Sequence, residues 1–150
     1  MSNKIQRWLT FRPWQRHGLV LMVGGLVYIS LGVMYLTIGE LSHRREINLS
    51  VALEVMPLKY WALLFIFSGA LACLSSRWPS FSDSWGYMVL CGMSSGWSAV
   101  YLMSYIFGPA PITSTTYALI WFLMAFTWWA ISGLVNPEKV IVVEVPDGTN

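Results

Sequence analysis

The residues that could do chemistry in this chain are few, and their spacing decides what they can do. His17 and His43 are its two histidines. They flank the first apolar run, about 39 Å apart if the chain between them is helical, so one chain cannot bring them to a shared metal. Cys73 and Cys91 stand singly, without the C-x-x-C spacing that thiol–quinone exchange requires. Both lie inside apolar runs and read as small packing residues. Glu40 sits at the end of its run, too near the boundary to serve as a midplane carboxylate. A phosphate loop, a nucleophile elbow and a paired-carboxylate motif are all missing. The remaining polar groups inside apolar runs are mainly hydroxyls, led by Ser94, Ser95, Ser98, Ser104, Tyr101 and Tyr105. Helical rotation places Ser94, Ser98 and Tyr101 on roughly one face. Such a stripe can wet a pore, but these serines more often bond the i−4 carbonyl and pack. The expectation is no catalytic residue, no metal site and no cofactor: the chain is not an enzyme.

The charges explain where these residues must sit. Of 150 residues 56% are hydrophobic and 11% charged, against roughly 25% charged in soluble domains. Lys4, Arg7, Arg12 and Arg16 crowd one end, Glu40 to Lys59 hold six more, Arg77 and Asp83 stand alone, and Glu138, Lys139, Glu144 and Asp147 lie in the tail. Long stretches between them carry no charge. That pattern excludes a water-soluble enzyme, a nucleic-acid-binding domain and a disordered chain. It also weakens pumps, proton-coupled transporters and small multidrug transporters, whose chemistry needs an ionisable group within the membrane.

A helix crossing the hydrocarbon core needs about 20 apolar residues. Four runs qualify: 19–38, 57–74, 85–107 and 114–134, the second starting beside Lys59, which can snorkel to the interface. Short gaps make neighbouring helices antiparallel. The expectation is an all-α membrane protein, a single domain over 1–150. Its four transmembrane helices form an antiparallel up-down bundle, with a short N-terminal interfacial helix in 1–17 and a cytoplasmic tail over 135–150. Lys and Arg number six on the side of both termini and three on the other, which predicts a multi-pass protein of the cell membrane with both termini cytoplasmic.

Within 1–17, Ile5, Trp8 and Leu9 share one helical face while Lys4 and Arg7 can meet headgroups, before Pro13 breaks the turn. With Arg12, Trp14 and Arg16 they form an interfacial anchor that favours anionic lipids, and Trp78 and Trp85 anchor another helix boundary. Between the first two spans, residues 47–55 alternate apolar and polar, the period of a strand, with a short surface helix as the alternative. A second β-branched run, Val140–Val145, is a candidate docking strand. Ser82, Asp83 or Ser84 can cap the third span, and Thr113 or Ser114 the fourth.

The most informative pattern is of small residues. Gly18, Gly25, Gly32 and Gly39 recur at seven-residue steps, nearly two helical turns. Ala118, Ala125 and Ser132 repeat that step in the fourth span, while Gly92 and Gly96 make a G-x-x-x-G pair continued by Ala99. In lipid, close backbone approach at small residues drives helix association. These residues are therefore the helix-packing candidates, and Leu at Gly25 or Gly96 is expected to abolish association while the monomer still inserts. Trp97 and Trp121 lie deep in their spans, where an indole N–H needs an acceptor. They either pack against the small faces or wall a lipid-binding cavity.

The function expected from these features is that of a non-catalytic integral membrane protein working through helix–helix contacts, as a homo-oligomer or an accessory subunit beside another membrane protein. A short chain with several spans, a basic cytoplasmic terminus and a polar tail also resembles, in layout, the phage holins. That resemblance implies a phage-encoded pore former. A lipid-binding protein or small transporter is the third alternative.

Overall fold

The computed structural model describes residues 16–38, 48–77 and 83–133. They form five helices: α1 (Arg16–Ile38), α2 (Ser50–Val55), α3 (Leu58–Arg77), α4 (Asp83–Phe107) and α5 (Thr113–Ser132). No strand occurs among the described residues. The N-terminal segment with Lys4, Arg7, Trp8, Arg12 and Trp14, the stretch holding Gly39 and His43, Trp78, and the apolar tail run all lie outside the described residues.

Among the described residues three helical stretches are long and apolar enough to cross a membrane: His17–Thr37, Leu58–Arg77 and Thr113–Ser132. The expectation was four. The fourth, α4, has 25 residues and the length to span, but its serines, glycines, tryptophans and tyrosines dilute its hydropathy. Ser94, Ser98 and Ser104 find partners inside the protein instead, as described below.

Contacts along the helices give their directions. Gly18 of α1 lies against Ser76 of α3, Gly25 against Gly69 and Cys73, and Gly32 against Ala62 and Ile66. Numbers rising on α1 therefore meet numbers falling on α3, so the two run antiparallel. α4 and α5 are antiparallel too: the Ser98 hydroxyl donates to the Ala118 carbonyl, while Tyr87 packs near Trp128. α1 and α4 run in the same direction, Tyr87 donating to the His17 carbonyl and Tyr35 meeting Trp97. The closest associations are α1 with α3 and α4 with α5, and α3 with α4 joins the two pairs.

Residues 50–55 are helical rather than extended. Alternation over so short a run is also compatible with one helical turn, and here Leu49 and Ala52 turn inward and are buried. Leu53 N–H bonds the Leu49 carbonyl at 3.0 Å, and Met56 N–H bonds that of Ala52 at 3.1 Å. A lone strand would leave its backbone groups unpaired; a helical turn closes them locally. Its N-terminus is capped from another helix, because Val51 N–H donates to the Ser104 hydroxyl of α4 at 3.3 Å. The expected cap of α5 is also corrected. Its N-cap residue is Ile112 with no side-chain bond, and the Ser114 hydroxyl instead donates to the Asn48 side chain at 2.9 Å. These bonds fasten α2 onto the end of the bundle.

A Cβ added at Gly32 would lie 2.6 Å from the Ala62 carbonyl oxygen, so α1 would have to move. Gly32→Val should cost about 1–3 kcal/mol in a reversible detergent-unfolding titration. Val27→Leu, on the exposed face of the same helix, should stay within about 0.5 kcal/mol.

Candidate functional site

The helices touch through two kinds of residue, and each kind does a different job. On the α1–α3 seam the backbones meet. A Cβ at Gly18 would lie 2.8 Å from the Ser76 carbonyl oxygen, and one at Gly25 would lie 2.6 Å from that of Gly69. Gly69 answers from the other side, its face closed by the Gly25 carbonyl. Such close approach lets Cα–H groups face carbonyl oxygens and multiplies dispersion contacts.

Elsewhere glycine makes room for a large side chain. Gly24 lies beneath the Trp128 ring, and Gly86 beneath Leu21. α1 thus reaches α5 by long side chains, with Met124 and Trp121 also converging on Tyr28.

Between the seams lies a continuous aromatic core. Phe65, fully buried, has the rings of Tyr28, Tyr35, Trp97 and Trp121 at 5.7, 5.6, 5.1 and 5.7 Å. Trp97 extends the cluster to Trp61 at 5.2 Å and Tyr101 at 6.1 Å. Pairs at these separations each add about 0.5–1.5 kcal/mol beyond burial. The rings pack on one another along the bundle axis. Trp61 donates its indole N–H to the Ala52 carbonyl at 3.0 Å, which ties α2 to the core, whereas the Trp97 N–H has no partner.

The hydroxyl stripe of α4 is spent on packing. The Tyr28 and Ser94 hydroxyls are bonded to each other, and Ser94 passes its own proton to the Leu90 carbonyl at 2.8 Å. The Leu90 carbonyl and Met124 Sδ also lie within reach of the Tyr28 hydroxyl, at 3.2 and 3.7 Å. Ser98 crosses to α5 at 2.7 Å. Ser104 is buried and serves α2. Cys73 and Cys91 are half-buried free thiols, and Cys73 points its sulfur at the Met22 carbonyl. No group of three metal-binding side chains occurs among the described residues.

The small residues read from the sequence divide in space. Gly18, Gly25 and Gly32 lie in the α1–α3 seam, and Ala118 and Ala125 are buried. Ser132 is exposed, its hydroxyl returned to the Trp129 carbonyl. Gly92 and Gly96 stand apart: among the described residues nothing lies within 4 Å of a Cβ at either. They share an exposed face of α4 with Met88, Ser95 and Ala99. Trp85, expected as an anchor, is exposed at the start of α4, and Arg16 opens α1. The outer side of α1 carries an open apolar groove lined by Val23, Leu26, Val27, Ser30, Leu31 and Met34.

Two central residues carried no mark in the sequence. Phe65 falls on the face of Ala62, Gly69 and Ala72, all of them buried, and that helical spacing was the available signal. Asn48 had none. Comparison with family models found no match, and comparisons with curated proteins and with solved structures found none either.

Tyr28→Phe keeps the ring contacts and removes the hydroxyl, and Ser94→Ala removes its partner. A double-mutant cycle on unfolding in detergent should return a coupling of about 0.6–1.7 kcal/mol, the span of interhelical hydrogen bonds within membranes. Additive losses would mean that the two hydroxyls do not bond.

Proposed function

We propose that this chain is a four-span membrane protein that acts through helix–helix contact, as a homo-oligomer or as an accessory subunit of a membrane assembly. In this reading α4 is the fourth crossing, the bundle runs up and down, and both termini face the cytoplasm, as the distribution of Lys and Arg favours. One observation carries the proposal. Gly18, Gly24, Gly25, Gly32, Gly69 and Gly86 each abut a neighbouring helix, whereas Gly92 and Gly96 abut nothing among the described residues.

Glycine costs helix stability, about 1 kcal/mol relative to alanine, and in the seams that cost is offset by close packing. On α4 the offset is missing among the described residues. A helix from outside, packed on the face that holds Gly92, Ser95, Gly96 and Ala99, would supply it. Ser95 adds an exposed hydroxyl for which no hydrogen bond occurs among the described residues. Lipid gives little hydrophobic drive for association, so fit at such a face is the main source of affinity.

Fluorescence energy transfer between labelled chains, diluted stepwise in liposomes, measures the association directly. Gly96→Leu should weaken it by tenfold or more, about 1.4 kcal/mol, with helicity and insertion unchanged. Gly25→Leu lies inside the α1–α3 seam and should instead damage the fold. Equal association of wild type and Gly96→Leu would overturn the homo-oligomer. Transfer that appears only when a second membrane protein is reconstituted would identify the accessory role.

A further inference from the structure

The end of the bundle that carries α2 is covered by apolar side chains. Phe107, the last residue of α4, is 80% exposed, and Val55 of α2 and Ile112 before α5 are 70% exposed. No other large hydrophobic side chain among the described residues is as exposed as these three. The bonds from Ser104 and Ser114 hold α2 and its approach at this end, so the three belong to one face of the molecule.

The turn joining α4 to α5 lacks what a loop in water would use. Residues 84–137 hold no charged side chain. By contrast, the connection from α1 to α3 carries Glu40, Arg44, Arg45, Glu46 and Glu54, and Arg77 and Asp83 bracket the α3–α4 turn. Pro109 and Pro111 have no backbone N–H to satisfy. The N–H groups of Gly108 and Ala110 both return to the Ser104 carbonyl, at 3.1 and 3.4 Å. Residues 108–111 therefore leave no backbone donor free, as irregular backbone near lipid requires. Ile112 and Thr113, opening α5, are the first whose N–H bonds nothing among the described residues. Such groups need water or an ester carbonyl, which a headgroup layer supplies and hydrocarbon does not.

The length of α4 agrees with that depth. It starts at Asp83, a charge that belongs at or beyond a membrane boundary, and rises about 36 Å to Phe107. A hydrocarbon core is about 30 Å thick, and the whole bilayer about 40–45 Å. Phe107 thus falls just past the far boundary, in the headgroup layer.

From the apolar tip, its closed donors and its depth we infer that the α4–α5 turn lies within the membrane interface at this end, with Phe107 and Ile112 seated in the lipid. A lipid surface fits this chemistry because it takes up apolar side chains without asking the turn for a charge or a hydrogen bond. Val55 extends the same contact from α2. The inference rests on reading α4 and α5 as membrane crossings, but not on association between chains.

Depth measurement in lipid tests it. With Cys73 and Cys91 replaced by alanine, the full chain carrying Phe107→Cys, Ile112→Cys or Thr113→Cys is labelled with a nitrobenzoxadiazole fluorophore. It is reconstituted in phosphatidylcholine liposomes with iodide on both sides. Leu119→Cys, on the exposed face of α5, is the lipid reference, and Glu54→Cys, exposed on α2, is the water reference. Labels at the tip should emit to the blue of Glu54→Cys and resist iodide nearly as well as Leu119→Cys. A lipid nitroxide near the ester should quench them more than one near the chain end. Adding Phe107→Asn and Ile112→Asn together should raise iodide quenching of the Thr113→Cys label toward the water reference, with helicity unchanged. Tip labels quenched like Glu54→Cys while Leu119→Cys stays protected would overturn the inference and leave the apolar tip to a partner from the aqueous phase. Quenching at Leu119→Cys as well would remove the membrane reading beneath it. Protection at Thr113→Cys that survives the asparagine pair would overturn the role of Phe107 and Ile112.

Discussion

The contact on which the rest of this structure depends is the approach of two backbones, α1 on α3, at Gly18, Gly25, Gly32 and Gly69. Seven residues are nearly two helical turns, so the α1 glycines stay on one slowly drifting line, and carbonyls of α3 occupy the space their missing side chains leave. Antiparallel register follows directly. So does the placement of Tyr28 and Tyr35, which the same helix turns toward Phe65 on its neighbour. Once that ring is fixed, Trp97 and Trp121 have a surface to pack on, and through them α4 and α5 join. Small residues set the distance in one half of the molecule, and large rings fill the other.

This division makes physical sense in lipid. Apolar side chains gain nothing by leaving a hydrocarbon solvent for a protein interior, so shape and hydrogen bonds must supply specificity. The polar groups of α4 show it. Ser94, Ser98 and Ser104 each bond a different partner, from α1, α5 and α2. These three hydroxyls are thereby consumed in holding four helices together. Their use also explains why α4 falls below the hydropathy of a membrane span while its inward serines are engaged. The outward glycines are the exception, and they carry the functional proposal.

Much of this was legible in the amino-acid order, for reasons that can be traced residue by residue. Uncharged runs predict the long helices because length and apolarity are additive along a chain. The seven-residue glycine step marks one face because the helix has a fixed pitch. What the order cannot distinguish is inside from outside. Gly92 and Gly96 carry the same signature as Gly25 and Gly32, and only the position of a neighbour separates a filled face from an open one. Phe65 looked like any phenylalanine in an apolar run, although it sits at the centre of the rings. The strand period of residues 47–55 yielded to a helical turn, since the capping hydroxyl of Ser104 comes from far along the chain. The bond between Asn48 and Ser114 depends on a similar meeting of distant segments.

The central claim is that α4 presents its glycine face to another helix, and disulfide scanning in lipid tests it most directly. With Cys73 and Cys91 replaced by alanine, single cysteines placed in turn along α4 and along the exposed face of α5 would be oxidised in liposomes. Cross-linked dimer is predicted at Met88, Ser95 and Ala99, with helical period and with little at Phe122 or Phe126 of α5. Cross-linking without that period, or strongest on α5, would contradict the account.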